Sequence, residues 1–150
     1  RPWSSAASDV YKRQAYSASA IRNRDTRGIL RALRRNEAIW YAPDQDFGAE
    51  RSVFAPFFGI ETATLEATVR LVQLSGCAVV PMYPVFDSPS GTWTVRFDPP
   101  LHDFPTGDVR ADLARINRIF ENRIRRAPEQ YWWIHRRFKT RPEGEPAFYH

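Results

Sequence analysis

The order in which helical and extended patterns follow one another constrains the fold of this chain most. Apolar side chains at helical spacing predict three helices, and short apolar or alternating runs predict strands between them. The helices are expected at Asp25–Arg35, Thr62–Ser75 and about Asp108–Arg126, and the strands at Ala38–Ala42, Cys77–Phe86 and Thr92–Asp98. Gly76 is expected to end the second helix, and SPSG to form a hairpin turn before the last strand. The strings PDQD and PMYP are expected at the ends of the first and second strands. This alternation indicates an α/β fold, a sheet flanked by helices, with ligands at the carboxyl ends of its strands.

Two aromatic segments lie outside that pattern. Ser52–Gly59 contains Pro56, which favours a hydrophobic loop or an edge strand over a central strand. Its phenylalanines either pack in the core or meet an apolar partner such as an acyl chain or a membrane. Glu129–Lys139 predicts one or two helical turns, and its mixture of aromatic and basic residues suits a membrane interface or nucleic acid. Ordinary packing of aromatics inside and basic groups outside explains it equally well.

Charge and cysteine content narrow the class of protein. The net charge is +5, and the segment from Asp108 to Arg141 alone carries +6, with ten basic and four acidic residues. That basic segment favours an anionic partner, or it is simply a solvated helix face. The single Cys77 excludes an internal disulfide, and no apolar run reaches the ~18 residues that cross a bilayer. These features predict a reducing, cytosolic environment, with room for a membrane anchor outside these 150 residues.

The beginning of the chain has an unusual composition. Arg1–Gln14 includes the string SAASDVYKRQ, which resembles translated sequencing adapter. We interpret residues 1–14 as a non-native leader, with a disordered native leader as the alternative. Residues 15–150 are then expected to be the C-terminal portion of a single domain that is incomplete at its N-terminus.

The string PDQD, which follows the apolar run Ala38–Ala42, is the strongest candidate for a functional site. It places two carboxylates and an amide, of Asp44, Gln45 and Asp46, at the expected end of a strand. Such groups can bind a metal, act as a base, orient an arginine or accept hydrogen bonds from sugar hydroxyls. A metal is disfavoured, because neither a histidine nor a third acid lies nearby. Aspartates that stabilise a turn through their own backbone are the structural alternative.

Four strings together resemble the lipid A biosynthesis acyltransferases, the lauroyl and myristoyl transferase family of the lipopolysaccharide pathway. They are WYAPDQDFG, SVFAPFFG, AVVPMYP and PEQYWWIHRRFKTRPEG, in the order and spacing of the family. The resemblance extends over about residues 21–149. It implies a glycerolipid-acyltransferase-like α/β fold and transfer of an acyl chain from acyl carrier protein to a hydroxyl of a phosphorylated disaccharide, the lipid A precursor. The implied location is the cytoplasmic face of the inner membrane. The resemblance also implies no cofactor, no metal and no nucleic acid partner.

The resemblance also implies which residues act. The family's catalytic pair is a histidine and an acid spaced H-x4-D/E, in which the histidine takes the proton of the acceptor hydroxyl. This chain has no such pair, because Gly107 and Thr140 lie five positions after His102 and His135, and His150 is the last residue. We therefore expect a C-terminal fragment that is inactive alone.

The remaining site residues are then expected to bind substrate. Asp44, Gln45 and Asp46 are assigned to the organisation of the active site and to the glucosamine head group. Candidate contacts to phosphate, to the oxyanion or to the acidic carrier protein are arginines before and after this string: Arg24, Arg27, Arg136 and Arg137. The two rival hypotheses are a basic nucleic-acid-binding module and a non-catalytic peripheral membrane-binding domain.

Overall fold

The structure, a computed structural model, describes residues 21–22 and 25–149. The chain divides between Ile39 and Trp40 into two units. In the first unit the predicted helix is confirmed as α1, Thr26–Arg34. It begins where the Asp25 carboxylate accepts a hydrogen bond from the Gly28 amide at 2.8 Å, an N-cap that satisfies one of the free amides of the first turn. Its buried side chains are Ile29 and Ala32. The leader predicted at residues 1–14 lies outside the described residues.

The second unit is built on a hairpin of strands β1, Ser52–Phe57, and β2, Ile60–Leu65. The strands are antiparallel, and Phe57 faces Ile60 across a two-residue turn. Phe58 and Gly59 both have positive φ, at 51° and 78°, which is the backbone of the tight turns that match strand twist. Ser52–Phe57 is therefore the edge strand, and the alternative of a loop is wrong. Pro56 is tolerated because the outer side of a two-stranded sheet needs no donor.

Helix α2 runs over Ala67–Ser75, so the prediction of a helix from Thr62 is wrong for its first turn. Thr62 and Thr64 are buried β-branched residues of β2, and their hydroxyls donate to carbonyls two residues earlier at 2.8 and 3.0 Å. Strand pairing with β1 satisfies the backbone that a helix would otherwise use. Gly76 ends α2 as predicted, with φ 69°, in the left-handed conformation that favours glycine.

Strands β3, Met82–Asp87, and β4, Thr92–Phe97, form a second antiparallel hairpin. The prediction of β4 and of the intervening turn is confirmed, whereas the preceding strand begins at Met82 and not at Cys77. All of β4 is exposed. The string PMYP therefore lies at the start and within the first half of β3, not at a strand's carboxyl end as expected.

Helix α3, Val109–Ile124, confirms the long predicted helix. It begins at Asp108, whose side chain accepts from the Ala111 amide at 3.0 Å, and it packs on β1. The core between them contains Ala55, Val69, Leu113 and Ile116. The amide of Asn117 bridges the two layers by donating to Pro56 O and Thr64 Oγ1, both at 3.1 Å.

The strand predicted at Ala38–Ala42 is wrong. These residues have no regular structure, and Trp40 is 63% exposed. A short strand is stable only beside a hydrogen-bonded neighbour, and none of the described strands pairs with this run. The α/β class therefore holds, but the described sheets are two antiparallel hairpins without the parallel strand ends at which we expected the site.

Candidate functional site

The segment after Pro43 turns sharply and directs its two carboxylates differently. Gly48 has φ 86°, a conformation in which a side chain would be strained, and its amide donates to Asp46 Oδ1 at 2.9 Å. Asp46 is buried, whereas Asp44 is half-buried and Gln45 is exposed. The local turn therefore separates an inward carboxylate from one that remains partly open to solvent.

Asp46 holds the C-terminal tail of the chain. Its carboxylate accepts from the Thr140 amide at 2.8 Å and from the Thr140 hydroxyl at 2.9 Å. Together with the bond from Gly48, three donors satisfy this buried acid. Hydrogen bonds to a charged group are the stronger ones, so Asp46 fixes the turn and the tail to each other across 94 residues of sequence.

Arg137 extends into the protein beside this contact and is only 3% exposed. It donates to Ala63 O at 2.6 Å and to Thr64 Oγ1 at 2.9 Å, both on β2. Its guanidinium also lies 5.3 Å from the ring centroid of Phe57. Arg137 therefore docks the tail onto the β1–β2 hairpin.

The charge of Arg137 is compensated through space. Burial lowers the pKa of the guanidinium, and the nearby acidic groups of Tyr131, Asp46 and Asp44 oppose that shift. Among the described residues Arg137 forms no direct ion pair. We call Asp44, Asp46, Tyr131, Arg137 and Thr140 the Asp–Arg cluster.

Asp44 is the open member of the Asp–Arg cluster. In the described part of the chain its carboxylate has no hydrogen-bond partner, although its charge acts on both Arg137 and Tyr131. A half-buried carboxylate with free acceptor sites can bind hydroxyl or amide donors of a ligand. Asp46, by contrast, has its acceptor sites filled by the protein itself.

Tyr131 contributes a buried hydroxyl on which the charge of Asp44 acts. Burial in the first place, and the charge of Asp44 in the second, raise the pKa of Tyr131 to about 12. Within the described residues the hydroxyl has no hydrogen-bond partner. Its ring lies edge-on to Trp133, with centroids 4.8 Å apart.

This raised pKa predicts a loss of stability at alkaline pH. The pKa of Tyr131 is higher in the folded state than the value of about 10 in an unfolded chain. The contribution of Tyr131 to the free energy of unfolding is therefore complete below pH 10 and is lost as the pH rises towards 12. Between these pH values the unfolding free energy of the native protein should fall by about 2 kcal/mol more than that of Tyr131→Phe. Urea unfolding of both proteins from pH 9 to 12 measures this, and parallel curves would contradict it.

The other three predicted arginines lie in different parts of the sequence. Arg24 lies outside the described residues, and Arg27 is an exposed residue of α1 in the first unit. Arg136 is exposed, and its guanidinium lies 5.8 Å from the ring centroid of Tyr149. The substrate contacts assigned to these arginines and to Arg137 stay predictions, although the burial of Arg137 favours a structural role.

Tyr131 and Thr140 were missed as members of the cluster. Both lie in the string that carried the family resemblance, which was the only available signal.

The described residues contain no group of three or more acids, histidines or cysteines arranged to hold a metal ion. None of the described helices is both long enough and apolar enough to span a bilayer.

Comparison with known proteins decides the family. The model of the bacterial lipid A biosynthesis acyltransferases matches residues 10–140. The chain belongs to this family. It is 44% identical over 138 residues to the lipid A biosynthesis palmitoleoyltransferase of Escherichia coli K12, covering 91% of this chain and 45% of that protein.

Two further relatives from the same organism agree. The chain is 41% identical over 132 residues to the lipid A biosynthesis lauroyltransferase, which covers 87% of this chain and 43% of the relative. It is 36% identical over 124 residues to the myristoyltransferase, covering 83% and 38%. This family member thus spans less than half the length of the relatives that it matches.

Proposed function

We propose that this chain is the substrate-binding part of a lipid A biosynthesis acyltransferase, in which the whole protein has a glycerolipid-acyltransferase-like α/β architecture. The observation that carries the proposal is the family match over residues 10–140 together with 44% identity to a palmitoleoyltransferase. The donor would be an acyl thioester of acyl carrier protein, and the acceptor a hydroxyl of the phosphorylated disaccharide precursor. The reaction would take place at the cytoplasmic face of the inner membrane.

The chemistry of such a transfer assigns distinct tasks to the protein. The acceptor oxygen attacks the thioester carbonyl, a base takes the hydroxyl proton, and the carrier thiolate leaves. The base of the family resemblance belongs to an H-x4-D/E pair, which these 150 residues do not contain. We therefore infer that these residues alone do not catalyse transfer, since a general base contributes about 10²–10⁴-fold to the rate.

Within the Asp–Arg cluster, Asp44 is the group proposed to contact substrate. It is half-buried, and its carboxylate has no hydrogen-bond partner in the described part of the chain. A glucosamine head group offers hydroxyl and amide donors that such a carboxylate accepts. Gln45, which is exposed beside it, would supply an amide to the same head group. Asp46 and Arg137 would act indirectly by holding the segment in place.

A chimera tests the proposed function. The 138 aligned residues of the Escherichia coli palmitoleoyltransferase are replaced by the corresponding residues of this chain. We expect the chimera to transfer an acyl group from acyl carrier protein to a lipid A precursor in vitro, because the acceptor-binding residues would be supplied by this chain. The product is measured by mass spectrometry.

Two controls make the outcome decisive. The 150-residue protein alone should give no product, and a truncated palmitoleoyltransferase without the exchanged segment should also be inactive. A chimera that is folded and recovered in the membrane fraction, yet shows no more transfer than the truncated protein, would contradict the proposal.

A further inference from the structure

Three consecutive apolar side chains project from the protein next to the Asp–Arg cluster. Trp132, Trp133 and Ile134 are 60%, 47% and 76% exposed, within and just before the short 3-10 turn Trp133–His135. We call these three residues the Trp–Ile tip. Exposure of a contiguous large apolar surface is unfavourable in water unless it meets a partner.

The Trp–Ile tip is held in place by the protein beneath it. The indole nitrogen of Trp133 donates to Pro128 O at 2.8 Å. The Trp133 ring contacts Tyr131, at 4.8 Å between centroids, and Phe58, at 6.3 Å. These contacts restrict the Trp133 side chain before binding, so less conformational entropy is lost when a partner binds.

Basic side chains border the tip. The guanidinium of Arg125 lies 4.9 Å from the ring centroid of Phe58, the same ring that Trp133 approaches. Arg136 and Lys139 follow the tip in sequence, and both are exposed.

Two acids lie in the same region. Glu121 pairs with Arg125 at 3.1 Å, and Glu129 is exposed before the tip. The basic groups outnumber them, so the border of the apolar tip is cationic.

We propose that the Trp–Ile tip and its basic border, Arg125 and Arg136, form a docking surface for an anionic phospholipid bilayer. Tryptophan favours the membrane interface, where its ring meets both acyl chains and head groups. Arginine beside it meets lipid phosphates, and the attraction is strongest for anionic lipids. Ile134 points to a lipid surface and not to nucleic acid, because an aliphatic side chain cannot stack on a base.

The inference specifies which face meets the membrane in the proposed function, and it rests on that function for its biological setting. Vesicle binding, however, is measured without acyl donor or acceptor. Failure of acyl transfer and failure of docking are therefore observed in separate experiments.

Sedimentation of the 150-residue protein with lipid vesicles tests the surface. We expect binding to vesicles of equal parts phosphatidylcholine and phosphatidylglycerol, and much weaker binding to phosphatidylcholine alone or at high salt. The double variant Trp132→Ser/Ile134→Ser should bind about tenfold more weakly or worse, because it loses most of the inserted apolar surface. Arg125→Gln/Arg136→Gln should weaken binding by about fivefold or more, and only on the anionic vesicles.

Leu74→Ser supplies a control. Leu74 is 57% exposed on α2, and none of the described contacts joins α2 to the Trp–Ile tip, so its replacement removes an exposed apolar side chain elsewhere and should leave vesicle binding unchanged. Circular dichroism confirms that each variant is folded. The proposal is overturned if Trp132→Ser/Ile134→Ser binds like the native protein, if Leu74→Ser abolishes binding, or if a DNA oligonucleotide competes fully with the vesicles.

Discussion

Arg137→Met should lower the free energy of unfolding by about 3 kcal/mol, because two hydrogen bonds from a buried charged group are lost. The guanidinium is 3% exposed and donates to Ala63 O and Thr64 Oγ1 at 2.6 and 2.9 Å. Its removal leaves the Ala63 carbonyl without this donor and removes the positive charge that faces Asp44 and Asp46. Urea unfolding of the 150-residue protein, followed by circular dichroism, measures the loss.

Arg136→Met is the matched control for this prediction. It removes the same side chain from the adjacent position, where Arg136 is exposed and its guanidinium lies 5.8 Å from the ring centroid of Tyr149. Its effect should stay within about 0.5 kcal/mol, as for most surface substitutions. Equal losses in both variants would show that Arg137 does not dock the tail onto the β1–β2 hairpin.

Asp44→Asn should reduce acyl transfer by the chimera about 10–100-fold in kcat/KM, the range expected for the loss of a hydrogen bond to a charged group. The structure leaves the Asp44 carboxylate without a hydrogen-bond partner in the described part of the chain, so its replacement removes no contact that holds the fold. Kinetic assay of the chimera with an acyl carrier protein donor measures the effect. Glu50→Gln neutralises an exposed acid nearby and should leave kcat/KM unchanged.

The sequence predicted best what is encoded locally. The sequence predicts helix α3 over nearly its full length, because its apolar positions recur at helical spacing. The β3–β4 hairpin was predicted from the turn residues between its strands. Gly76 was predicted to end α2, for the reason that glycine adopts positive φ without strain.

Two errors in the fold have a common physical cause. The apolar spacing of α2 continues into Thr62–Leu65 and predicts a helical turn there, but pairing with β1 makes this segment a strand. Ala38–Ala42 has the composition of a buried strand, yet no described strand pairs with it. In both cases the outcome depends on a pairing partner that the local pattern does not contain. Gly59, followed by alternating threonines in β2, was the available sign of a hairpin.

The candidate site was predicted in part. The sequence predicts a functional site at Asp44, Gln45 and Asp46, and the family resemblance assigns all three to substrate binding. The structure separates them, since Asp46 is bound to Thr140 while Asp44 stays open. No spacing argument connects Asp46 to a residue 94 positions later. The same limit applies to Arg137, whose burial follows from the position of the β1–β2 hairpin.

The central claim is that Asp44 contacts substrate whereas Asp46 stabilises the fold. One paired measurement on the chimera tests it most directly. Asp44→Asn and Asp46→Asn are compared for kcat/KM and for the urea midpoint of unfolding. The account predicts that Asp44→Asn loses transfer with only a small shift of the midpoint, because it breaks no hydrogen bond among the described residues and removes only a charge that acts on Arg137 through space. It predicts that Asp46→Asn lowers the unfolding free energy by about 1.5–3 kcal/mol, because its charged hydrogen bonds are weakened. Full transfer by Asp44→Asn, or an Asp46→Asn protein as stable as the parent, would contradict it.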